Sequence, residues 1–395
     1  MAEIEWNRLG AYLKETQILG SIQNTLYWDQ NTGMPKGGAS WRSEQLTYIA
    51  KVLHKRNSSE EFSNLIKAAE FELREAKKNS ENQQIICGKE RNIDLLTKEL
   101  KKERNLDPKL VESLAKAKSK GYESWQEAKK NSNFQIFLPF FEDLIKLRIE
   151  EAKQISYERS PWETLAQPFE PDLTLDWLNK IFLPIKKIIP SLVKEIKESK
   201  KFEWDLNPIS QQKLCNKLLD EFGRDVNLVV VAKSPHPFSI TLGPKDYRIT
   251  TRIVKGEPFS SFLATAHEWG HSIYEQGLPS QSHQWFAWPL GQATSMGVHE
   301  SQSLFWENRI VKSKSFSKRF FNNFISEGCP LNNYQELWKS INNLKAGLNR
   351  VEADELTYGL HILIRTELEI DLIEGDLKAK DIPSEWNKRY KDLLG

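Results

Sequence analysis

The sequence predicts a mainly α-helical protein with a small β-sheet set directly before one functional helix. Three observations carry this. Apolar residues recur at three- and four-residue spacing along most of the 395 residues, beginning with Trp6, Leu9, Leu13 and Leu19. β-branched runs and strand-like alternation are concentrated in one stretch, residues 227–254. Immediately after it, residues 260–276 read as a helix that contains His267-Glu268-Trp269-Gly270-His271.

Taken in order, residues 2–27 form a first helix, broken by Gly33, Pro35, Gly37 and Gly38, with a second over 39–53. Trp28, Asp29 and Gln30 fit a buried helix-to-loop junction better than a catalytic role. Residues 60–132 are helical and heavily charged, and two helices joined near Asp107-Pro108 suggest an arm or lid. Residues 134–158 form another helix, with Phe141, Leu144, Ile145, Leu147 and Ile149 apolar. Pro161, Pro168 and Pro171 mark a loop, and 172–201 and 210–221 are helical. The texture changes at 223, so the sequence divides into an N-terminal helical region, 1–222, and a metal-site region, 223–395. Residues 227–232 and 247–254 supply strands, whose edge could grip an extended peptide. Residues 281–291 carry Trp285, Phe286 and Trp288, which either line a pocket or close the core. Helices follow over 298–328, 331–346 and 351–374; in the last, Asp354, Tyr358, His361 and Arg365 share a face.

Composition narrows the function. A net charge of +2 and interspersed Lys and Glu give no reason to expect nucleic acid or an acidic membrane surface as partner. No stretch of 18 apolar residues crosses a membrane, and the N-terminus shows no secretory signal. Cys87, Cys215 and Cys329 fit no zinc or redox spacing and point to a reducing compartment.

The chemistry concentrates at 267–300. On a helix, His267 and His271 stand at i and i+4, so both imidazoles can reach one ion. Glu268 is placed to act on a metal-bound water, taking its proton and passing it to a leaving amine. Glu300, 29 residues after His271 on a second helical pattern, is available as third ligand. Two His and one Glu with a fourth position open is a catalytic zinc arrangement.

These residues resemble the carboxypeptidase Taq family, the M32 metallocarboxypeptidases. HEWGHSIYEQGLP at 267–279 is similar to the family's HExxH helix, and HESQS at 299–303 to its HES/TQ motif, which implies Glu300 as third ligand. DYRITTR at 246–252 fits DxRxT, RVEADELTYGLHI at 350–362 fits IRxxAD, and YWDQNTGMPKGGASWRSEQ at 27–45 resembles the WDQ-x-T-x-MP-x-GG segment. Asn349 stands where the family has isoleucine. Family members are generally longer and carry a GxxQDxHW motif and a Tyr-rich segment beyond the position where this sequence stops, which implies a C-terminal truncation of about a hundred residues. The resemblance implies a helical zincin fold, with a long substrate groove and a small sheet beside the HExxH helix. It also implies one divalent ion per chain, zinc or in substitution cobalt, and a cytoplasmic homodimer.

The expected function is therefore a metallocarboxypeptidase of broad specificity acting on peptides with a free C-terminus. Such an enzyme must hold a free carboxylate, a task suited to a guanidinium fork. Arg350 is the first candidate and Arg248 the second; the alternative for either is a salt bridge to an acid such as Asp246 or Asp354. Those two aspartates could instead hold a ligand histidine in the right tautomer. His299 and His361 are candidates for stabilising the transition-state oxyanion. Two other functions stay open: a zincin oligopeptidase, and a metal- and peptide-binding remnant with little or no turnover.

Overall fold

The computed structural model describes residues 3–395 except 78–82, 157, 196–201, 203, 258, 345, 349 and 351–352, so Asn349 lies outside the described residues. The helical pattern of the sequence is realised in fifteen α-helices among the described residues, with one three-stranded sheet. The chain packs as two units, each built from two stretches: Met1–Arg104 with Phe202–Ile341, and Asn105–Lys201 with Asn342–Gly395.

The first unit begins with α1 (Ile4–Thr32), which buries Trp6, Leu9, Tyr12, Leu13 and Trp28. It runs five residues beyond the expected end at 27. Trp28 and Asp29 thus sit in its last turns, at a structural junction. The Asp29 carbonyl accepts from the Gly33 and Met34 amides, and Arg42 on α2 (Ala39–Asn57) donates to the Asp29 carboxylate at 2.7 Å. α3 (Glu60–Lys77) and α4 (Gln83–Asn105) pack their apolar stripes against α1 around Leu9, Phe62, Ile66, Ala69 and Ile93. The segment 60–132 therefore holds three helices rather than two, since α5 (Pro108–Asn131) follows. Residues 78–82, between α3 and α4, lie outside the described residues. The aromatic stretch 281–291 closes this core. Trp288 is 4% exposed and stacks on Trp6 at 3.8 Å, with Trp285 edge-on to the same ring.

Around the functional helix the sequence forms a second core. α9 (Pro208–Glu221) starts at Asn207, whose side chain accepts from the Ser210 amide. Strands β1 (Val229–Lys233), β2 (Ser239–Gly243) and β3 (Asp246–Thr251) lie in the order β1-β3-β2, with β1 parallel and β2 antiparallel to β3. Opposite partners include Val231 with Ile249 and Ile240 with Arg248. β3 leads into α10 (Ser260–Gln276), as its sequence order predicts. Hydroxyls clamp strand to helix: Thr265 donates to Thr251, Thr251 to the Ser261 carbonyl, and Ser261 to Gln211 of α9. Each of these groups is buried, so each of these bonds also avoids the cost of an unpaired polar atom, about 1–3 kcal/mol. Beneath α10, Phe262 and Ala266 pack on Leu214, Leu218, Phe320 and Phe324, while Trp269 packs with Leu219, Val229 and Ile249. α11 (Met296–Leu304), a π-helical stretch over Phe305–Val311, α12 (Lys314–Ser326) and α13 (Tyr334–Ile341) complete the unit.

The second unit pairs α5 with α6 (Phe134–Ile155). Asp107 caps α5, accepting from the Lys109 amide, and Asn133 caps α6. Where three prolines suggested only loop, α7 (Pro161–Ala166) forms, because Ser160 caps it and Pro161 occupies its first position, where no amide hydrogen is needed. α8 (Leu175–Glu195) and α14 (Glu355–Glu374) pack with α15 (Ile382–Leu394) around Val193, Leu360, Leu363, Ile364, Leu368 and Tyr390.

Candidate active site

α10 presents His267 and His271 on one face, as their spacing requires. α11 crosses it closely and brings Glu300 to the same place. The crossing depends on Gly270: a Cβ there would lie 2.5 Å from the Ser303 Cα and 2.6 Å from the Gln302 carbonyl oxygen. The Glu300 Oε2 atom is 3.6 Å from His267 Nε2 and 3.3 Å from His271 Nε2. Ser303 holds the glutamate in place, donating to its carbonyl and to Oε2 at 2.6 and 3.1 Å.

This donor set fits the divalent ion that the motif implies. The ligating atoms of His267, His271 and Glu300 all lie within 4.8 Å of one another. In a tetrahedral site with bonds of about 2.0–2.1 Å, neighbouring ligand atoms stand about 3.4 Å apart, close to the two distances observed. The outward-facing nitrogens fit as well. His267 Nδ1 donates to Glu307 Oε2 at 3.0 Å, which leaves its Nε2 lone pair toward Glu300. His271 Nδ1 lies 2.7 Å from His299 Nδ1, and His299 Nε2 lies 2.9 Å from Glu275 Oε1.

The electrostatics of the three glutamates and of His267 differ. Glu268 is 6% exposed, and no hydrogen bond reaches its carboxylate among the described residues. Burial, with the charges of Glu300 and Glu307, outweighs the pull of His267 and pushes its pKa up to about 7. Burial alone would also raise Glu300 and Glu307. Their imidazole hydrogen bonds and nearby positive charges outweigh it and hold both below the ordinary carboxylate value. Burial pulls His267 down, but the hydrogen bond it donates to Glu307 and the surrounding carboxylates leave it raised. Lys312, 3.5 Å from the other Glu307 oxygen, shares that buried charge.

The structure thus brings His267, Glu268, His271, His299 and Glu300 together. Asp246 and Arg248 lie on β3 and pair with each other through two bonds of 2.8 and 3.0 Å, with the guanidinium over the Trp28 ring. Arg350, Asp354 and His361 belong to the second unit. Asp354 caps α14, accepting from Leu356, Thr357 and the Thr357 hydroxyl. His361 is fully buried against the Tyr390 hydroxyl. Arg350 donates to the Tyr358 hydroxyl at 3.1 Å. The residues backing the two histidines, Glu275 and Glu307, were not anticipated. Spacing offered a signal for both: Glu275 extends the 267, 271 series by four, and Glu307 follows Glu300 by seven.

Comparison with known proteins agrees with the motifs. Residues 8–395 match the family model described as carboxypeptidase Taq (M32) metallopeptidase. The chain is 31% identical to thermostable carboxypeptidase 1 of Thermus thermophilus, covering 100% of this chain and 78% of that one. It is also 31% identical to carboxypeptidase 1 of Bacillus subtilis, covering 94% of this chain and 73% of the relative. Among solved structures, the M32 carboxypeptidase of Deinococcus radiodurans superposes with a TM-score of 0.88 at 26% identity, covering 99% of this chain and 78% of that one.

Proposed function

Because the chain belongs to the carboxypeptidase Taq (M32) metallopeptidase family, we propose that it removes residues from the free C-terminus of peptides by metal-dependent hydrolysis, with broad side-chain tolerance. The observation that carries this reading is the convergence of His267, His271 and Glu300 beside the buried carboxylate of Glu268.

In this reading His267, His271 and Glu300 hold one divalent ion. The mixed nitrogen and oxygen set suits zinc, with cobalt as a substitute. When bound, the ion supplies Lewis acidity toward the scissile carbonyl and acidifies the attacking water. Glu268 takes that water's proton and returns it to the departing amine nitrogen, so the carboxylate is regenerated in each cycle. Burial favours the first half of that task, since a desolvated carboxylate, its pKa pushed up to about 7, holds a proton more tightly than an ordinary one. Arg350 is the preferred clamp for the substrate's terminal carboxylate: its hydrogen-bond partner here is a phenol, whereas the Arg248 fork is already filled by Asp246. The two extra carboxylates, Glu307 and Glu275, belong to the support of the ligands rather than to the reaction itself.

Free cysteines, two of them buried, support a reducing compartment, and the reading places the protein in the cytoplasm. Among the described residues no helix is long and apolar enough to cross a membrane. The family resemblance supports a homodimer.

Glu268→Gln tests the central step. It should leave metal affinity within a few-fold of wild type and lower turnover by about 10²–10⁴-fold. Undiminished turnover with bound metal would remove Glu268 from the reaction.

A further inference from the structure

Two parallel strands end side by side in the first unit and leave a crevice lined by none of the metal-site residues. β1 and β3 run in the same direction, with Lys233 opposite Thr251, so the chain leaves both strands at one end. The departing segments, 233–235 and 251–253, meet the last turn of α1 there and enclose about 410 Å³. We propose that this crevice binds a small polyvalent oxyanion, a phosphate group or an organic polycarboxylate.

Charge distinguishes the crevice. Lys233 and Arg252 line it and no acid does. Two other clefts are balanced: one beside Trp288 sets Glu3 against Lys89 at 2.6 Å, and one beside α15 mixes Glu367, Asp371, Glu385 and Asp392 with its cations. Among the described residues neither Lys233 nor Arg252 has an ion pair or a side-chain hydrogen bond. Asp29 on α1 and Asp246 on β3 are engaged by Arg42 and Arg248 instead. Arg252 is half-buried, so its unpaired charge is partly desolvated and gains from an anion.

The remaining polar side chains of the lining leave the same groups free. Asn31 and Thr32 donate to the Tyr27 and Trp28 carbonyls within α1. Ser234 donates to the His236 carbonyl, and Thr251 to the Ser261 carbonyl. What is left for a ligand is the Arg252 fork, the Lys233 ammonium and the Gln30 amide. A guanidinium fork matches two oxygens of a carboxylate or phosphate, and an ammonium adds a point charge. An anion between the two cations also relieves their mutual repulsion. Arg252 follows Thr251, whose hydroxyl ties β3 to α10, so an occupant braces that junction and stabilises the folded protein by linkage.

Occupancy does not depend on the chain being a peptidase, and it is read without turnover. The zinc-loaded full chain would be titrated calorimetrically with inorganic phosphate and, separately, with succinate, against sodium chloride at matched ionic strength. Melting temperature would be recorded in the same buffers. Arg252→Gln and Lys233→Gln would be treated alike, each checked for unchanged zinc content and circular dichroism. The expected result is saturable binding of one or both anions with a rise in melting temperature, weakened about 10-fold or more in Arg252→Gln. Arg252→Lys, which keeps the charge and loses the fork, should fall between. Phosphate alone would assign a phosphate site, and succinate alone a polycarboxylate site. Equal binding in wild type and both Gln variants would put the anion elsewhere and overturn the proposal. So would the absence of binding by either anion, or a melting shift that sodium chloride reproduces.

Discussion

At the scale of single residues, the proton balance of the site sets a pH dependence. The pKa of Glu268 in the folded, metal-free protein is about 7, against 4.5 for an ordinary glutamate. Between those values the folded state holds more protons than the unfolded chain, so this group's contribution to stability falls as pH rises. His267, also raised, contributes stability that is present below 6.5 and lost as pH rises through its folded value. Glu300 and Glu307 are lowered, so their contribution is lost only as pH falls below the ordinary carboxylate range. A divalent ion competes with the protons on Glu268 and His267. Zinc affinity should therefore increase between about pH 6 and about pH 8, read by chelator competition. A flat profile would contradict the burial and charge balance described here. The clustering of His267, His271 and Glu300 was legible in the sequence, from two histidines four apart and from the resemblance of the HESQS segment to a family motif. For Glu275 and Glu307 spacing gave only a shared helix face, because their partners are set once the helices cross.

Between elements, the decisive contact is the crossing of α10 and α11 at Gly270. The Gly270→Ala methyl would meet backbone atoms at 2.5 and 2.6 Å, and backbone cannot swing aside as a side chain can. The helices must separate, carrying Glu300 away from the histidines. The variant should lose zinc affinity by at least about 10-fold, and stability by about 1–3 kcal/mol. Full affinity in Gly270→Ala would show that the approach of the helices is not what places Glu300. A second junction lies at Gly88, where a Cβ would stand 2.7 Å from the Trp285 ring. Gly88→Ala should loosen the 281–291 stretch and lower the melting temperature, while Trp288→Ala should cost more, about 3–5 kcal/mol, through loss of the stack on Trp6. Helix existence was readable from apolar periodicity, and so was the strand texture before α10. Helix ends were not: α7 hides behind a proline that starts a helix rather than ending one. The π-helical stretch over Phe305–Val311 gave no sign at all, since residue spacing in a sequence does not report a widened turn.

For the whole molecule, texture along the chain and contacts in space divide it differently. The sequence changes character at 223, whereas each compact unit is assembled from two separated stretches. Periodicity reports local structure and carries no record of which distant helices meet. The chain spans 73–78% of the length of the curated relatives it matches. Arg350, in the second unit, carries the account's claim about substrate polarity. Arg350→Ala should lose activity on peptides with a free carboxylate and change little on amidated ones; equal loss on both would remove the clamp. The most direct test of the whole account is mass spectrometry of an unblocked peptide and its C-terminally amidated twin, each incubated with the zinc-loaded chain and with Glu268→Ala. The account predicts stepwise loss of residues from the C-terminus of the unblocked peptide alone, absent in Glu268→Ala. Internal cleavage of both peptides would make the protein an oligopeptidase, and no cleavage with one zinc bound per chain would contradict the assignment of catalysis to this site.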